Sequence, residues 1–173
     1  MIRKAIARDI DAITAIYDAI LDAQDEGRFT IGWQRGIYPT RETALGALAR
    51  DDLFVLEQDG RVLASGIINH HQEEAYPLGN WEYPAADDKI MVMHTLVVDP
   101  DENSRGLARK MLEYYADYAR SHGCTVLRFD TGSINARARA LYASWGAKEI
   151  GIVPLESENF SDDTDLVLLE KKL

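Results

Sequence analysis

Residues 91–112 read MVMHTLVVDPDENSRGLARKML, and this run contains two elements joined by a short turn. Its first part, residues 92–98, is apolar and β-branched, which predicts a strand that ends before Pro100. From Leu107 onward the apolar residues recur with the period of a helix. The turn around Gly106 leaves several backbone N–H groups without partners at the start of that helix. Those groups and the helix dipole favour the binding of a phosphate.

A strand, a turn with one glycine and a helix also occur together in many proteins where the turn binds nothing. The run lacks the Gly-x-Gly-x-x-Gly pattern of a dinucleotide-binding turn, because Gly106 is its only glycine. Phosphate binding and a purely structural turn therefore both stay open on this stretch alone.

The remaining sequence predicts an α/β chain whose mixed sheet has several strands joined by hairpins. The predicted order is β-α-α-β-β-β-α-β-α-β-β. Asp9, Thr40 and Asn135 are the predicted caps of three of the helices, and Gly123 is the predicted end of the fourth. The predicted strands are residues 2–6, 53–57, 62–69, 92–98, 125–131, 147–152 and 164–170, and the predicted helices end near residues 24, 50, 122 and 145.

Length and composition predict one domain over residues 1–173, with a cytoplasmic location. The net charge of −10 argues against binding to nucleic acid or to an anionic membrane surface. Cys124 is the only cysteine, so neither an intrachain disulfide nor a cysteine-based metal cluster is expected. We predict no metal.

Two motifs resemble those of the GNAT superfamily of N-acetyltransferases. Part of the first stretch is similar to motif A, although Asn103 stands where that family usually has Arg or Gln. A second segment, in the family's order, is similar to motif B. The motif A residues are Leu96, Val98, Pro100, Asn103, Gly106, Ala108, Met111 and Leu112, and the motif B residues are Asn135, Ala138, Leu141, Tyr142 and Gly146.

The resemblance implies a GNAT-type acyl-CoA N-acyltransferase fold, with a central mixed, splayed β-sheet flanked by helices. It also implies that acetyl-CoA is the acyl donor and that a primary amine attacks its thioester directly. A β-bulge in the central strand would free backbone groups for the pantetheine arm and for the developing oxyanion. The residues implied to bind acetyl-CoA are Leu96, Val97, Val98, Asn103, Ser104, Arg105, Gly106, Leu107, Ala108, Arg109, Asn135 and Tyr142.

Two side chains are the candidate catalytic groups. Tyr142 matches the family tyrosine that protonates the leaving thiolate, and it can serve as a hydrogen-bond donor to that sulfur. His94 is the candidate base, because it titrates in the useful range and stands two residues before Leu96, which predicts that both lie on one strand face. Two alternatives stay open. His94 can have a purely structural role, or a chain of water molecules can deprotonate the amine.

The acceptor is predicted to be a small cationic amine with an apolar part, bound by Trp33, Tyr38 and Trp81. These aromatic residues belong to loops 29–39 and 72–89. Amino acids, antibiotics, protein N-termini and lysines stay open as acceptors, and a homodimer is left open. A non-catalytic acyl-CoA-binding sensor is the alternative function, and a protein that retains only the fold is the third.

Overall fold

The computed structural model describes residues 1–154, 159–161 and 164–173, with the backbone alone at residues 103–105. Its helices and strands follow in the predicted order. The elements are β1 (Ile2–Lys4), α1 (Ile10–Asp25), α2 (Arg41–Ala49), β2 (Leu53–Gln58), β3 (Arg61–Asn69), β4 (Ile90–Val98), α3 (Leu107–Ser121), β5 (Val126–Gly132), α4 (Ala136–Ser144), β6 (Lys148–Val153) and β7 (Leu166–Lys172).

The strands of the described ranges form one seven-stranded sheet in the order β1-β2-β3-β4-β5-β7-β6. β4 and β5 are parallel, whereas the other neighbouring strands of the sheet are antiparallel. The mixed, partly hairpin-connected sheet predicted from the sequence is therefore confirmed.

Helices cover both faces of this sheet. On one face, α1 and α2 pack over the β1–β4 half with Ile13 and Val55 in the shared core, and residues around Tyr76 cover the rest. On the other face, α3 and α4 pack over the centre, where Met111 is completely buried. None of the helices in the described part of the chain combines the length and the apolar character that crossing a membrane requires.

The central strand β4 contains a bulge. Thr95 and Leu96 of β4 stand opposite the single residue Gly66 of β3, and Thr95 has a φ of 49°. A β-branched residue seldom adopts positive φ, so the surrounding structure must hold this conformation. The extra residue reverses the alternation of side chains along the rest of the strand.

The bulge overturns one sequence prediction. Met93 and Leu96 are three residues apart, yet both pack into the cluster under α3. His94 therefore lies on the opposite face from Leu96, and the prediction that these two residues share a face is wrong. The pattern of residue types gave no sign of the extra residue, because a bulge depends on how two strands pair.

β4 pairs with β5 only along its first half, and the two strands then separate. Their parallel pairing runs from Ile90 opposite Val126 to Met93 opposite Phe129, while β4 itself continues to Val98. The bulge follows at Thr95, two residues after the last paired residue Met93. The second half of β4 is thus splayed from β5, and the gap between them is the position of the site described next.

Candidate active site

A cavity of about 1260 Å³ passes through the gap between β4 and β5. Its walls come from β4, β5, the start of α3, the start of α4 and loop 29–39. The cavity brings together most of the site residues predicted from the sequence: His94, Leu96, Val97, Val98, Gly106, Leu107, Ala108, Arg109, Asn135, Tyr142, Trp33 and Tyr38.

One end of the cavity is formed by the start of α3. Gly106 precedes this helix with a φ of 69°, and it has no side chain that could cap the first turn. A Cβ atom added at Gly106 would meet nothing within 4 Å, so space is open in front of the backbone. The N–H groups of the first turn and the open space suit a phosphate group. Of the predicted contacts here, the side chains of Asn103, Ser104 and Arg105 lie outside the described residues.

Two arginines line the cavity. The guanidinium group of Arg109 donates to Glu113 Oε1 and to the Ser144 carbonyl, each at 3.2 Å, which joins α3 to α4. The guanidinium carbon of Arg137 lies 4.8 Å from the centre of the Phe29 ring. Sequence reasoning missed Arg137, which adds a second positive charge to the cavity lining.

Asn135 performs the capping role that the sequence predicts. Its Oδ1 accepts a hydrogen bond from the Ala138 N–H at 3.1 Å, at the start of α4. The two N–H groups of Nδ2 are available to a cofactor, because the helix cap uses only Oδ1. The cap fixes the start of the helix that carries Tyr142.

Tyr142 lies on α4 with its ring against Phe129 of β5, at 4.8 Å between ring centres. The side chain is buried but lines the cavity. Burial raises the pKa of the Tyr142 phenol well above its usual value, and the nearby Asp130 carboxyl adds to this rise. The hydroxyl therefore remains protonated at neutral pH and can donate a hydrogen bond or a proton there.

Asp130 on β5 is a site residue that sequence reasoning missed. Its Oδ2 accepts a hydrogen bond from the Tyr76 hydroxyl at 2.8 Å. Burial raises the pKa of the Asp130 carboxyl to about 6, partly offset by the Tyr76 hydrogen bond and by His94. A carboxyl in a cavity with a pKa near neutral is well matched to proton transfer. A carboxyl residue inside a predicted strand was the signal that could have identified it.

His94 is held by hydrogen bonds at both ring nitrogens. Nδ1 lies 3.1 Å from Glu73 Oε1, and Nε2 lies 3.1 Å from Asn69 Oδ1. The contact with His94 lowers the pKa of the Glu73 carboxyl, so Glu73 is a carboxylate at neutral pH. Neither Glu73 nor Asn69 was predicted, because both belong to segments without a distinctive pattern.

Loop 29–39 forms the wall opposite these carboxyl groups. The rings of Trp33 and Tyr38 meet edge to face at 5.7 Å, and the Tyr38 hydroxyl is hydrogen-bonded to the Thr95 hydroxyl at the bulge. The Gln24 side chain accepts from the Gly32 N–H and donates to the Trp33 carbonyl, each at 2.8 Å. The loop is thus fixed against both α1 and β4.

Trp81 does not belong to this wall. Its ring lies 4.1 Å from the guanidinium carbon of Arg128, and its Nε1 donates to the Tyr76 carbonyl at 2.6 Å. Among the described residues that line the cavity, Trp81 is absent. The prediction that Trp81 contacts the acceptor is wrong, because the ring is already used to cover a buried arginine.

No group of three or more His, Cys, Asp or Glu side chains within the described ranges is arranged to hold a metal ion.

The family model for the acetyltransferase (GNAT) family matches residues 15–147. The [ribosomal protein bS18]-alanine N-acetyltransferase of Escherichia coli K12 is 30% identical over 99 residues, which cover 57% of this chain and 56% of that protein. The matched region is thus about half the length of that relative.

Solved structures have the same fold. An acetyltransferase of the GNAT family from Streptococcus agalactiae has a TM-score of 0.79 and 21% identity, covering 100% of this chain and 95% of that one. The structure of yncA from Salmonella typhimurium, which contains its cofactor acetyl-CoA, has a TM-score of 0.71 and 23% identity, covering 100% and 93%.

Proposed function

This chain belongs to the acetyltransferase (GNAT) family, and we propose that it transfers the acetyl group of acetyl-CoA to the primary amine of a cationic small molecule. The observation that carries the proposal is the gap between β4 and β5. The parallel pairing ends at Met93, the strand bulges at Thr95, and a cavity follows the exposed backbone. A splayed strand can offer backbone N–H and C=O groups to an extended ligand.

Two groups of residues that line the cavity fit the two substrates of such a transfer. The start of α3 at Gly106, together with Arg109 and Arg137, suits the phosphates of acetyl-CoA. The carboxyl groups of Glu73 and Asp130 suit an ammonium group.

Acetyl-CoA supplies the thioester carbon, to which the amine nitrogen bonds as the carbon–sulfur bond breaks. We assign the removal of the ammonium proton to Asp130, because its carboxyl faces the cavity and its pKa of about 6 keeps it mostly ionised at pH 7. His94 fits this role less well, since both of its ring nitrogens already face acceptor oxygens. Tyr142 donates a hydrogen bond to the departing sulfur.

The composition of the cavity wall supports this choice of acceptor. Glu73, Glu74 and Asp130 supply negative charge, and the rings of Trp33 and Tyr38 supply apolar surface. An aromatic ring attracts a cation over its face by about 0.5–2 kcal/mol. This combination favours a cationic amine with an apolar part over an anionic acceptor.

The test is incubation of the protein with acetyl-CoA and a panel of acceptors, with released thiol and the mass of the product as readouts. The panel includes arylalkylamines, polar diamines, amino acids and peptides with a free N-terminal alanine. We expect the arylalkylamines to be acetylated. If only the peptides are acetylated, the acceptor is a protein N-terminus and the proposal of a small-molecule acceptor is wrong. Binding of acetyl-CoA without acetylation of any acceptor would point to a non-catalytic sensor.

A further inference from the structure

Four side chains form a continuous chain of hydrogen bonds from the interior to the cavity. Asn69 Nδ2 donates to Asp52 Oδ2 at 2.9 Å. Asn69 Oδ1 is 3.1 Å from His94 Nε2, and His94 Nδ1 is 3.1 Å from Glu73 Oε1. The chain joins the start of β2 to the end of β3, the middle of β4 and the cavity wall.

The surroundings fix the orientation of the Asn69 amide. The backbone N–H of His71 donates to Oδ1 at 2.8 Å, while the Asp52 carboxyl accepts from Nδ2. Rotating the amide by 180° would place its NH₂ group against an N–H and its oxygen against a carboxyl oxygen. Both contacts would then be repulsive, so the oxygen must face His94.

This orientation determines what His94 can do. Nε2 faces an amide oxygen and Nδ1 faces a carboxylate oxygen, and both of these atoms are acceptors only. A neutral imidazole carries one N–H and can satisfy one of the two contacts, whereas an imidazolium ion satisfies both. The titratable groups near the ring are Glu73, Asp130 and the exposed His71.

We propose that Asn69 is a positioning residue that holds His94 as a donor at both ring nitrogens, so that His94 fixes the Glu73 carboxylate as the recognition group for the cationic acceptor. This inference rests on the proposed function and adds a specificity residue to it. The Glu73 side chain is 44% exposed and would otherwise move freely, whereas His94 is only 12% exposed. A carboxylate held in place by a hydrogen bond from the His94 ring can meet an ammonium group with little loss of side-chain entropy.

The direct test is ¹⁵N NMR of the histidine side chains in the full chain at pH 7. The His94 signals are identified by their loss in His94→Gln. In the wild type, both His94 nitrogens should give N–H-type resonances. In Asn69→Ala, the acceptor at Nε2 is gone, and one nitrogen should change to the unprotonated type or exchange with it. Asn80→Ala, at an exposed asparagine, is the matched control and should leave the spectrum unchanged.

A wild-type spectrum with one unprotonated His94 nitrogen would overturn the proposal, and so would an Asn69→Ala spectrum identical to that of the wild type. Asn69→Leu fills nearly the same volume without the acceptor, and it serves as the second variant if the alanine variant fails to fold. Because this measurement needs no substrate, its result stands even if no acceptor is acetylated.

The kinetic test compares KM and kcat for the best acceptor. Glu73→Gln should raise KM for a cationic acceptor at least about tenfold, since a charge-assisted hydrogen bond is lost, and should change kcat little. Asn69→Ala should raise the same KM by a smaller factor. The shift in melting temperature caused by acetyl-CoA should be unchanged in both variants. An unchanged KM in Glu73→Gln would contradict the recognition role.

Discussion

The Tyr76 hydroxyl donates a 2.8 Å hydrogen bond to Oδ2 of Asp130, and this contact joins the segment before β4 to the strand across the gap. Tyr76 is almost completely buried, so the donor is held in place by the core that surrounds it. A hydrogen bond to a carboxylate favours its ionised form and opposes the effect of burial. The balance leaves the pKa of Asp130 at about 6, which suits a base that works at neutral pH.

Replacing Asp130 by asparagine should remove the base while retaining the Tyr76 contact. Loss of a general base typically lowers turnover by about 10²–10⁴-fold. The loss should be smaller at high pH, where more of the acceptor is already a free amine. Acetyl-transfer rates from pH 6 to 10 measure this. Asp117→Asn, on the exposed side of α3, is the control and should behave as the wild type. A wild-type rate in Asp130→Asn would assign the base elsewhere.

Removal of the Tyr76 hydroxyl should move the pH dependence of the reaction. The wild-type rate should rise as pH passes through about 6, because Asp130 becomes ionised there. Tyr76→Phe removes a donor that stabilises the carboxylate, so the pKa of Asp130 rises and the increase in rate shifts to higher pH. The pH profile of kcat/KM tests the direction of this shift. A shift to lower pH would mean that the hydroxyl does not stabilise the ionised form.

Asp130→Asn should also change stability in a pH-dependent way. The carboxyl pKa is raised from 3.8 to about 6 by folding, so ionisation weakens the folded state as pH rises through this interval. One pKa unit corresponds to about 1.4 kcal/mol, which gives an upper bound of about 3 kcal/mol. The variant should therefore gain melting temperature relative to the wild type at pH 8 but not at pH 3.5. An equal difference in melting temperature at pH 3.5 and at pH 8 would show that ionisation of Asp130 is not the cause.

Gly106→Glu should abolish the binding of acetyl-CoA. The new side chain places negative charge in front of the N–H groups that would hold the phosphates, in a space that is open in the wild type. Binding is measured as the rise in melting temperature on addition of acetyl-CoA. Gly60→Glu is a matched control, since Gly60 has a φ of 77°, similarly open space and a position in the β2–β3 hairpin away from the cavity. Retained binding in Gly106→Glu would place the phosphates elsewhere.

Tyr142→Phe should lower kcat without weakening acetyl-CoA binding, because the hydroxyl is assigned to the departing sulfur. The pKa of this buried phenol is raised, so raising the pH to 9 should neither ionise the wild type nor rescue the variant. Rates and the acetyl-CoA melting shift are measured together. Tyr114→Phe, on α3 and half-buried, is the control. A variant that loses acetyl-CoA binding and retains kcat would assign Tyr142 to the cofactor alone.

Local sequence patterns were sufficient to predict the order of the elements. Apolar periodicity distinguishes strand β4 from helix α3, and Gly106 and Asn135 mark where α3 and α4 begin. Each of these signals acts over a few residues, because helix periodicity and capping depend on neighbours in the chain. Both residues, singled out from the sequence as candidate cofactor contacts, line the cavity.

The arrangement of the residues proposed for acid–base chemistry and acceptor binding depends on tertiary structure. The bulge at Thr95 results from the register between β3 and β4, and it reversed the expected face of His94. The contact of Asp130 with Tyr76 joins residues 54 positions apart. The Trp81 ring packs against the Arg128 guanidinium group instead of lining the cavity. Such contacts depend on how distant segments pack and on which groups burial leaves charged. The type of a side chain alone does not determine its contacts or its charge state. These depend on the environment that the fold builds around it.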